Sequence, residues 1–303
     1  GATGSTILPQ IISEIQKDGN NNPLVIVGMA LVVIAMSFKI AIVPFHMWTP
    51  DVYTGAPTPV TGFLSAAAKA AGFAVFVRVI LTGIPLGNAN WENVFWILAV
   101  LSMTVGNLMA LRQSEIKRML AFSSIAHAGY VMVALVVGSD SAITGVIFYS
   151  LAYAVMGTGA FGILTIKDAG RVPETYDDLA GYGVRNPLQA LMMTLFMFSL
   201  IGLPLTGGFI GKLQIFSAAL NNGWVWLSVI GILNSALSAY YYLRVVMFMY
   251  MREGALPEGK DLTGRSSGFA LTGLIGTAMA VLYLGVFPDN IIELASSSIQ
   301  ALL

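Results

Sequence analysis

Long apolar segments separated by short polar connections follow one another along this chain. A helix needs about 20 apolar residues to cross a hydrocarbon core of about 30 Å. Segments of that length lie at about 24–49, 60–83, 91–111, 117–137, 142–166, 187–220, 223–250 and 267–287. The pattern predicts an all-α fold, a polytopic transmembrane bundle of about eight helices.

Two of these segments contain residues that interrupt helices. Proline removes a main-chain hydrogen bond and clashes with the preceding turn. Pro44 lies inside the first segment, and Pro204, Gly207 and Gly208 lie inside the sixth, which is also too long for one straight span. We therefore expect two broken helices. Interrupted segments in two parts of a transporter point to a site near the midplane, and the reversed order of lysine and proline fits inverted repeats.

The composition indicates that the protein lies in a lipid bilayer, and it excludes several kinds of chemistry. Of 303 residues, 56% are hydrophobic and 10% are charged, whereas soluble proteins have about 25% charged residues. The chain is thus predicted to be an integral membrane protein with the lipid bilayer as partner, and its net charge of zero does not favour nucleic acid. Cysteine is absent and only two histidines occur, so we expect no cofactor and no metal in this chain.

Positive charges are distributed unequally between alternate connections. One set contains only Lys17, and the other contains Arg112, Lys117, Arg118, Lys167, Arg171, Arg185, Arg252, Lys260 and Arg265. The positive-inside rule places the second set in the cytoplasm and both ends of the chain outside. Because the chain opens with Gly1 and a polar stretch without a signal peptide, we expect it to be part of a longer protein.

Four ionisable side chains are predicted to lie about half-way across the bilayer: Lys39, Lys69, His127 and Lys212. A charge at this depth costs at least about 2.5–3.5 kcal/mol, so such residues generally have a function. Arginine stays protonated, whereas a desolvated lysine can release its proton near neutrality. We interpret the four as a row of proton carriers, and we expect an unbroken helix around Lys69.

The counter-charge of Lys39 is not apparent in the sequence. Asp and Glu fall at the ends of the predicted helices or in loops. The partner is then an absent earlier segment, a neighbouring subunit or water. A second interpretation makes Lys39 and Lys212 structural donors to carbonyls freed at the helix breaks, and pairs His127 with a neighbouring hydroxyl.

Three runs of residues resemble one known family. They are Phe38–Tyr53 with Gly55–Thr61, Arg112–Tyr130, and Leu203–Lys212, and they are similar to subunit N of respiratory complex I, the proton-pumping NADH:quinone oxidoreductase. Sister subunits and cation/proton antiporters typically read Pro-Asp-Ala after the first of these helices, where this chain has Pro50-Asp51-Val52. Many also carry a histidine near the position of Lys69, where this chain has alanines.

The resemblance implies an antiporter-like fold of fourteen helices with two inverted five-helix repeats, of which this chain holds the last eight. It implies that Lys39 and Lys212 serve two half-channels, that Lys69 and His127 connect them, and that a glutamate of an earlier helix faces Lys39. Quinone, FMN and iron–sulfur clusters are then expected only in partner subunits, with neighbouring complex I membrane subunits, protons and internal water as partners.

We accordingly expect an extracytoplasmic loop (1–23), two helices of the first repeat (24–86), a complete second repeat (87–252) and a cytoplasmic loop with a final helix (253–303). The function expected is proton translocation by a non-redox subunit of an NADH:quinone oxidoreductase in the bacterial inner membrane. The alternatives are a stand-alone cation/proton antiporter, for which buried carboxylates would suit sodium better than lysines do, and a structural membrane module.

Overall fold

The structure is a computed structural model that describes residues 3–17, 22–83, 89–166, 172–253 and 268–300. These ranges fold almost entirely into helices. The helices are α1 (Leu8–Lys17), α2 (Pro23–Ile40), α3 (Trp48–Gly55), α4 (Thr58–Phe63), α5 (Lys69–Gly83), α6 (Ala89–Leu111), α7 (Ile116–Val137), α8 (Asp140–Ile163), α9 (Tyr182–Arg185), α10 (Pro187–Ile201), α11 (Gly207–Asn221), α12 (Val225–Met251), α13 (Gly268–Val286) and α14 (Asp289–Gln300).

Seven helices in the described ranges are long and apolar enough to cross a membrane: α2, α4 to α5, α6, α7, α8, α12 and α13. An eighth candidate arises if Asp177–Arg185 is joined to Pro187–Ile201, across a bend of 119°. The sixth predicted segment is divided into α10 and α11, each of 15 residues and therefore about 22 Å long. The predicted all-α bundle of about eight spans is confirmed.

The first break follows α2. Helix α2 ends at Ile40, and Ala41 takes a left-handed conformation with φ 62°. The chain then continues without helix through a cis Val43–Pro44 bond until α3 begins at Trp48. The main-chain N–H of Val43 donates to Ser102 Oγ on α6 at 3.1 Å, so this irregular segment is fixed to the bundle.

The second break separates α10 from α11. Gly202 caps α10 with φ 88°, and α11 begins at Gly207. The N–H of Gly208 donates to Ser199 Oγ at 3.2 Å. A Cβ atom on Gly208 would collide with the main-chain oxygen of Ser199. Only glycine therefore allows the start of α11 to lie against the end of α10, and the prediction of two broken helices is confirmed.

The helix around Lys69 is continuous over Thr58–Ile80, as expected, but it contains a turn that the sequence does not indicate. A π-helical turn over Leu64–Ala68 separates α4 from α5, and Lys69 follows it directly. A π-turn inserts an extra residue into the helix and is often found at functional sites. The alanine-rich sequence gives no proline or paired glycine to mark it.

Helix α7 forms the centre of the bundle, because 94% of the residues in its apolar stretch are buried. It packs closely on α6, because added Cβ atoms on Gly106 and Gly129 would lie 2.7 Å from the main-chain nitrogens of Ala126 and Met103. His127 lies between these two crossing points in sequence. The packing therefore holds its backbone at the core of the molecule.

Two amphipathic helices were not anticipated. Helix α1 lies within the expected loop 1–23 and buries Ile15. Helix α14 follows the last span and packs Ile291 and Ile292 against a small apolar cluster of Phe148, Ala152 and Leu284. The expected domain boundary at 86/87 lies outside the described residues.

Positive side chains gather at one end of the bundle. Lys117 Nζ donates to the main-chain oxygens of Thr54 and Ala56 at 3.0 and 3.1 Å, and Arg118 pairs with Asp51 at 2.8 Å. Arg244 donates to the oxygen of Gln113 at 3.3 Å. The asymmetry between the two ends stays a prediction, because Lys167, Arg171, Lys260, Arg265 and the side chain of Lys17 lie outside the described residues.

Candidate functional site

Lys69 is buried at the junction of three helices. Only 4% of the residue is exposed. Its ammonium donates to the main-chain oxygen and to Oγ of Ser124 on α7, at 2.6 and 2.9 Å. The π-turn before Lys69 rotates α5 relative to α4, and this directs the lysine toward α7. Ser124 is three residues from His127, on the same face of that helix.

His127 occupies the middle of the row. It is 3% exposed, its Nδ1 is hydrogen-bonded to the hydroxyl of Tyr149, and its Nε2 lies 2.9 Å from the hydroxyl of Tyr242. A neutral imidazole donates through one nitrogen and accepts through the other, so it can pass a proton between two hydroxyls. Lys69 is linked to α7 through Ser124, and the ring of Tyr130, whose centre is 5.5 Å from that of the imidazole, lies 4.9 Å from Lys212 Nζ.

Lys212 closes the row at the second break. It is 5% exposed, and its ammonium donates to the oxygens of Leu200 and Ile201 at 2.9 and 2.8 Å and to Ser235 Oγ at 2.8 Å. The last carbonyls of a helix have no partner within it. The break therefore frees the oxygens that hold this lysine.

A cavity of about 390 Å³ adjoins Lys212 between α11 and α12. Lys212 and Ser235 are among its few polar lining residues, and Leu213, Leu220 and Ile232 line it toward the outside. Because these three are 50%, 44% and 51% exposed, the cavity reaches the outer face of the bundle.

Lys39 differs from the other three residues, because its side chain is exposed in this structure. Its Cγ lies near Gly72 of α5, where an added Cβ would be 3.7 Å away. Gly72 follows Lys69 by three residues, which places Lys39 beside the turn that carries Lys69. The structure thus brings Lys69, His127 and Lys212 together in the core and leaves Lys39 at its edge.

Sequence reasoning missed most of the groups that link the row. Ser124, Ser235, Tyr149 and Tyr242 provide the hydroxyls described above, and the ring of Tyr130 lies 4.9 Å from Lys212 Nζ. The periodicity of a buried helix does not show which hydroxyls face a neighbour. Within the described ranges, no group of three His, Cys, Asp or Glu side chains could hold a metal ion.

The sequence profile of the family described as "NADH:quinone oxidoreductase/Mrp antiporter, TM" matches residues 1–238. The chain belongs to this family. The family match agrees with the resemblance seen in the three runs of residues.

Individual relatives agree with the family assignment. NADH-quinone oxidoreductase subunit N of Trichlorobacter lovleyi is 48% identical over 302 residues, which cover 99% of this chain and 61% of the relative. Subunit N 1 of Solibacter usitatus is 44% identical, with 98% and 61% covered. The chain thus spans about three fifths of the length of the curated relatives it matches.

Solved structures share the fold of this family member. A chain of respiratory complex I from Thermus thermophilus is 35% identical with a TM-score of 0.77, covering 90% of this chain and 60% of that one. A chain of the Mrp complex from Dietzia is 21% identical with a TM-score of 0.84, covering 97% and 62%. The second likeness shows the fold alone.

Proposed function

We propose that this chain is part of a subunit N of a proton-translocating NADH:quinone oxidoreductase. The observation that carries the proposal is the buried row of Lys69, His127 and Lys212, each hydrogen-bonded to hydroxyl groups that can relay protons. The relatives named subunit N support the choice within the family. The subunit itself has no redox role, and it moves protons outward from the cytoplasm of a bacterium.

In this proposal, the row transfers charge between two half-channels. Lys212 loads or releases a proton at the second break, and His127 exchanges it with Lys69 through the hydroxyls of Tyr149, Tyr242 and Ser124. Lys39 serves the first half-channel, and its exposed side chain faces a carboxylate from outside this chain. The residues 24–86 and 87–252 would form part of one inverted repeat and the whole of the next.

Energy for translocation comes from electron transfer in partner subunits. We assign quinone, FMN and iron–sulfur clusters to those subunits, because this chain has no cysteine to hold a cluster. Neighbouring membrane subunits of the complex, lipid, protons and internal water are its proposed partners.

The geometry of Lys212 also fits a purely structural role, since its ammonium is saturated by three oxygens. Lys117 allows the two roles to be separated. It donates to two main-chain oxygens as Lys212 does, but it lies at the end of the bundle. If both lysines only hold helices together, both Ala variants should affect assembly and leave the pumping of assembled complexes unchanged.

The experiment compares Lys212→Ala with Lys117→Ala in the full-length subunit, in membranes with an assembled complex. Proton pumping and quinone reduction are measured together. We expect Lys212→Ala to abolish coupled pumping and Lys117→Ala to retain it. Normal pumping by assembled Lys212→Ala complexes would remove this residue from the proton path, and normal pumping by Lys39→Ala or Lys69→Ala would remove the remaining half of the mechanism.

A further inference from the structure

A second polar cluster is buried between α6 and α12. Asn107 Nδ2 donates to the main-chain oxygen and Oδ1 of Asn234 at 3.1 and 3.2 Å, and the hydroxyl of Tyr241 donates to Asn107 Oδ1 at 2.8 Å. Asn107 and Tyr241 are 0% and 1% exposed. Polar side chains inside a membrane are costly and usually functional. The two amides have no titratable proton, so the cluster is suited to holding helices in place and not to carrying protons.

Helix α6 is fixed to α7 directly beside this cluster. Gly106 precedes Asn107, and a Cβ atom on Gly106 would lie 2.7 Å from the main-chain nitrogen of Ala126. Ala126 in turn precedes His127. Because the two backbones are in close contact here, α6 cannot slide or rotate freely against α7. Asn107 therefore has a defined position relative to His127.

On α12 the cluster lies next to a residue that contacts His127. Tyr242 follows Tyr241, and the centroids of their rings are 4.5 Å apart. The hydroxyl of Tyr242 lies 2.9 Å from His127 Nε2. Such a hydroxyl lies at least about 6 Å from the helix axis, so a rotation of about 10° moves it by about 1 Å. Because hydrogen bonds rarely exceed about 3.2 Å, a small rotation of α12 would break this one.

We propose that Asn107 is a positioning residue for the proton path. By holding Tyr241, it fixes α12 at the rotation that places the hydroxyl of Tyr242 on His127. The contacts form a closed circuit, since α6 packs on α7 beside His127, Asn107 joins α6 to α12, and Tyr242 returns from α12 to His127. This inference rests on the proposed function, in which Tyr242 passes protons to and from His127. Asn107 itself transfers no proton.

The test separates this role from simple packing of helices. Asn107→Leu removes the amide at similar volume, and Tyr241→Phe removes only the hydroxyl that donates to Asn107. The matched control is Thr104→Val. Thr104 Oγ1 also joins α6 to α12, because it accepts from Asn234 Nδ2 at 3.4 Å, but this bond does not involve Tyr241.

Each variant is measured in the assembled complex with the full-length subunit, and each rate is divided by the amount of assembled complex. The readouts are the initial pumping rate and the solvent deuterium isotope effect on coupled turnover. A cluster that only packs helices would change the amount of assembled complex and leave the isotope effect unchanged. The isotope effect therefore distinguishes positioning from packing.

We expect Asn107→Leu to lower the pumping rate about tenfold. This is less than the about 10²–10⁴-fold typical of a lost proton-transfer group, because the hydroxyl of Tyr242 remains and still reaches His127 part of the time. Tyr241→Phe should lower the rate by a smaller factor, since its ring still packs on that of Tyr242. The isotope effect should rise in both variants as proton transfer becomes rate-limiting, and Thr104→Val should match the wild type in both readouts.

A double variant tests whether Asn107 acts through Tyr242. Tyr242→Phe removes the hydroxyl on His127 and should lower the pumping rate about 100-fold. Adding Asn107→Leu should then cause no further loss, since the effects of residues that act on one step are not additive. Losses that multiply would show that Asn107 acts independently of Tyr242, and they would overturn the proposal.

An Asn107→Leu or Tyr241→Phe complex that pumps like the control, with an unchanged isotope effect, would overturn it as well. Tyr241→Phe leaves the other bonds of Asn107 in place, so it decides the matter if Asn107→Leu fails to assemble. If Tyr242→Phe still lowers pumping in the same membranes, such a result rejects the positioning role alone. If Tyr242→Phe and Lys212→Ala also pump normally, the proposed function fails with it.

Discussion

The two broken helices use the same residue types but hold their lysines differently. Lys39 is the next-to-last residue of α2, before its break, and its side chain is exposed. Lys212 is the sixth residue of α11, after its break, and it bonds to two carbonyls that end α10. Side chains tilt toward the N-terminus of their helix. Lys212 consequently leans into its break, whereas Lys39 leans away from the one that follows it.

The comparison shows that the carbonyl oxygens freed at a break are within reach of the lysine that follows the break, and not of the lysine that precedes it. Lys212 needs no carboxylate in this structure, because its own chain provides three oxygens. Lys39 has no such help from α2, and its proposed counter-charge must come from another segment or subunit. Four predictions test how each break is built.

The largest effect is expected from Gly208→Ala. Its Cβ would collide with the main-chain oxygen of Ser199, and a backbone atom cannot move aside as a flexible side chain can. Overpacking typically costs about 1–3 kcal/mol, and we expect a value at or above that limit of about 3 kcal/mol. The measurement is the fraction of subunit assembled in membranes and the thermal midpoint of the purified complex.

The control for this variant is Gly28→Ala on α2, where an added Cβ meets nothing within 4 Å. It should be neutral or should stabilise by up to about 1 kcal/mol. Equal thermal midpoints for the two variants would show that close contact at Gly208 is not what holds the second break.

The next largest effect is expected at Gly202 and Ala41, the residues that cap the helices before the two breaks. Gly202 has φ 88° and Ala41 has φ 62°, both in the left-handed region. Gly202→Ala should destabilise by about 1–2 kcal/mol and also press on Lys212, whose Cδ lies 3.0 Å from the added Cβ. The reverse change, Ala41→Gly, should relieve the same strain at the first break. The free energy of unfolding of each variant complex is measured by chemical denaturation. Changes of the same sign in the two variants would contradict this account.

A smaller effect is expected from Gly72→Ala, which separates α5 from the end of α2. The added Cβ would lie 2.8 Å from Cγ2 of Ile40 and 3.7 Å from Cγ of Lys39. Because both neighbours are flexible side-chain atoms, we expect a loss of about 1 kcal/mol, the low end for overpacking. The thermal midpoint measures it, and a loss as large as that of Gly208→Ala would mean that the first break is as rigid as the second.

The smallest effect is expected from Asp51→Asn, which removes the ion pair with Arg118 beyond the first break. Asp51 is 73% exposed and Arg118 is 36% exposed, and exposed pairs contribute only about 0.2–1 kcal/mol. The loss should shrink further at high salt. A salt-independent loss above that range would indicate that Asp51 has a second role at this end of the bundle.

Much of the fold follows from local pattern. The lengths of the apolar segments predicted the spans, and Pro44, Pro204, Gly207 and Gly208 predicted both breaks, because prolines and paired glycines act on the backbone in any surroundings. The π-turn before Lys69 was missed because no such residue marks it. It depends on how α5 packs, and Leu64–Ala68 contains no residue that enforces it.

The sequence by itself determined that this protein lies in a membrane and that two helices break, and it predicted which ionisable residues lie at mid-depth, since cost and periodicity are properties of single segments. Only the tertiary structure decided which groups meet. It buried Lys69, His127 and Lys212 together, left Lys39 exposed, and placed the ring of Tyr130 against His127 and Lys212. Hydrogen bonds between helices depend on rotation and register, and these are set by close contacts such as those at Gly106, Gly129 and Gly208.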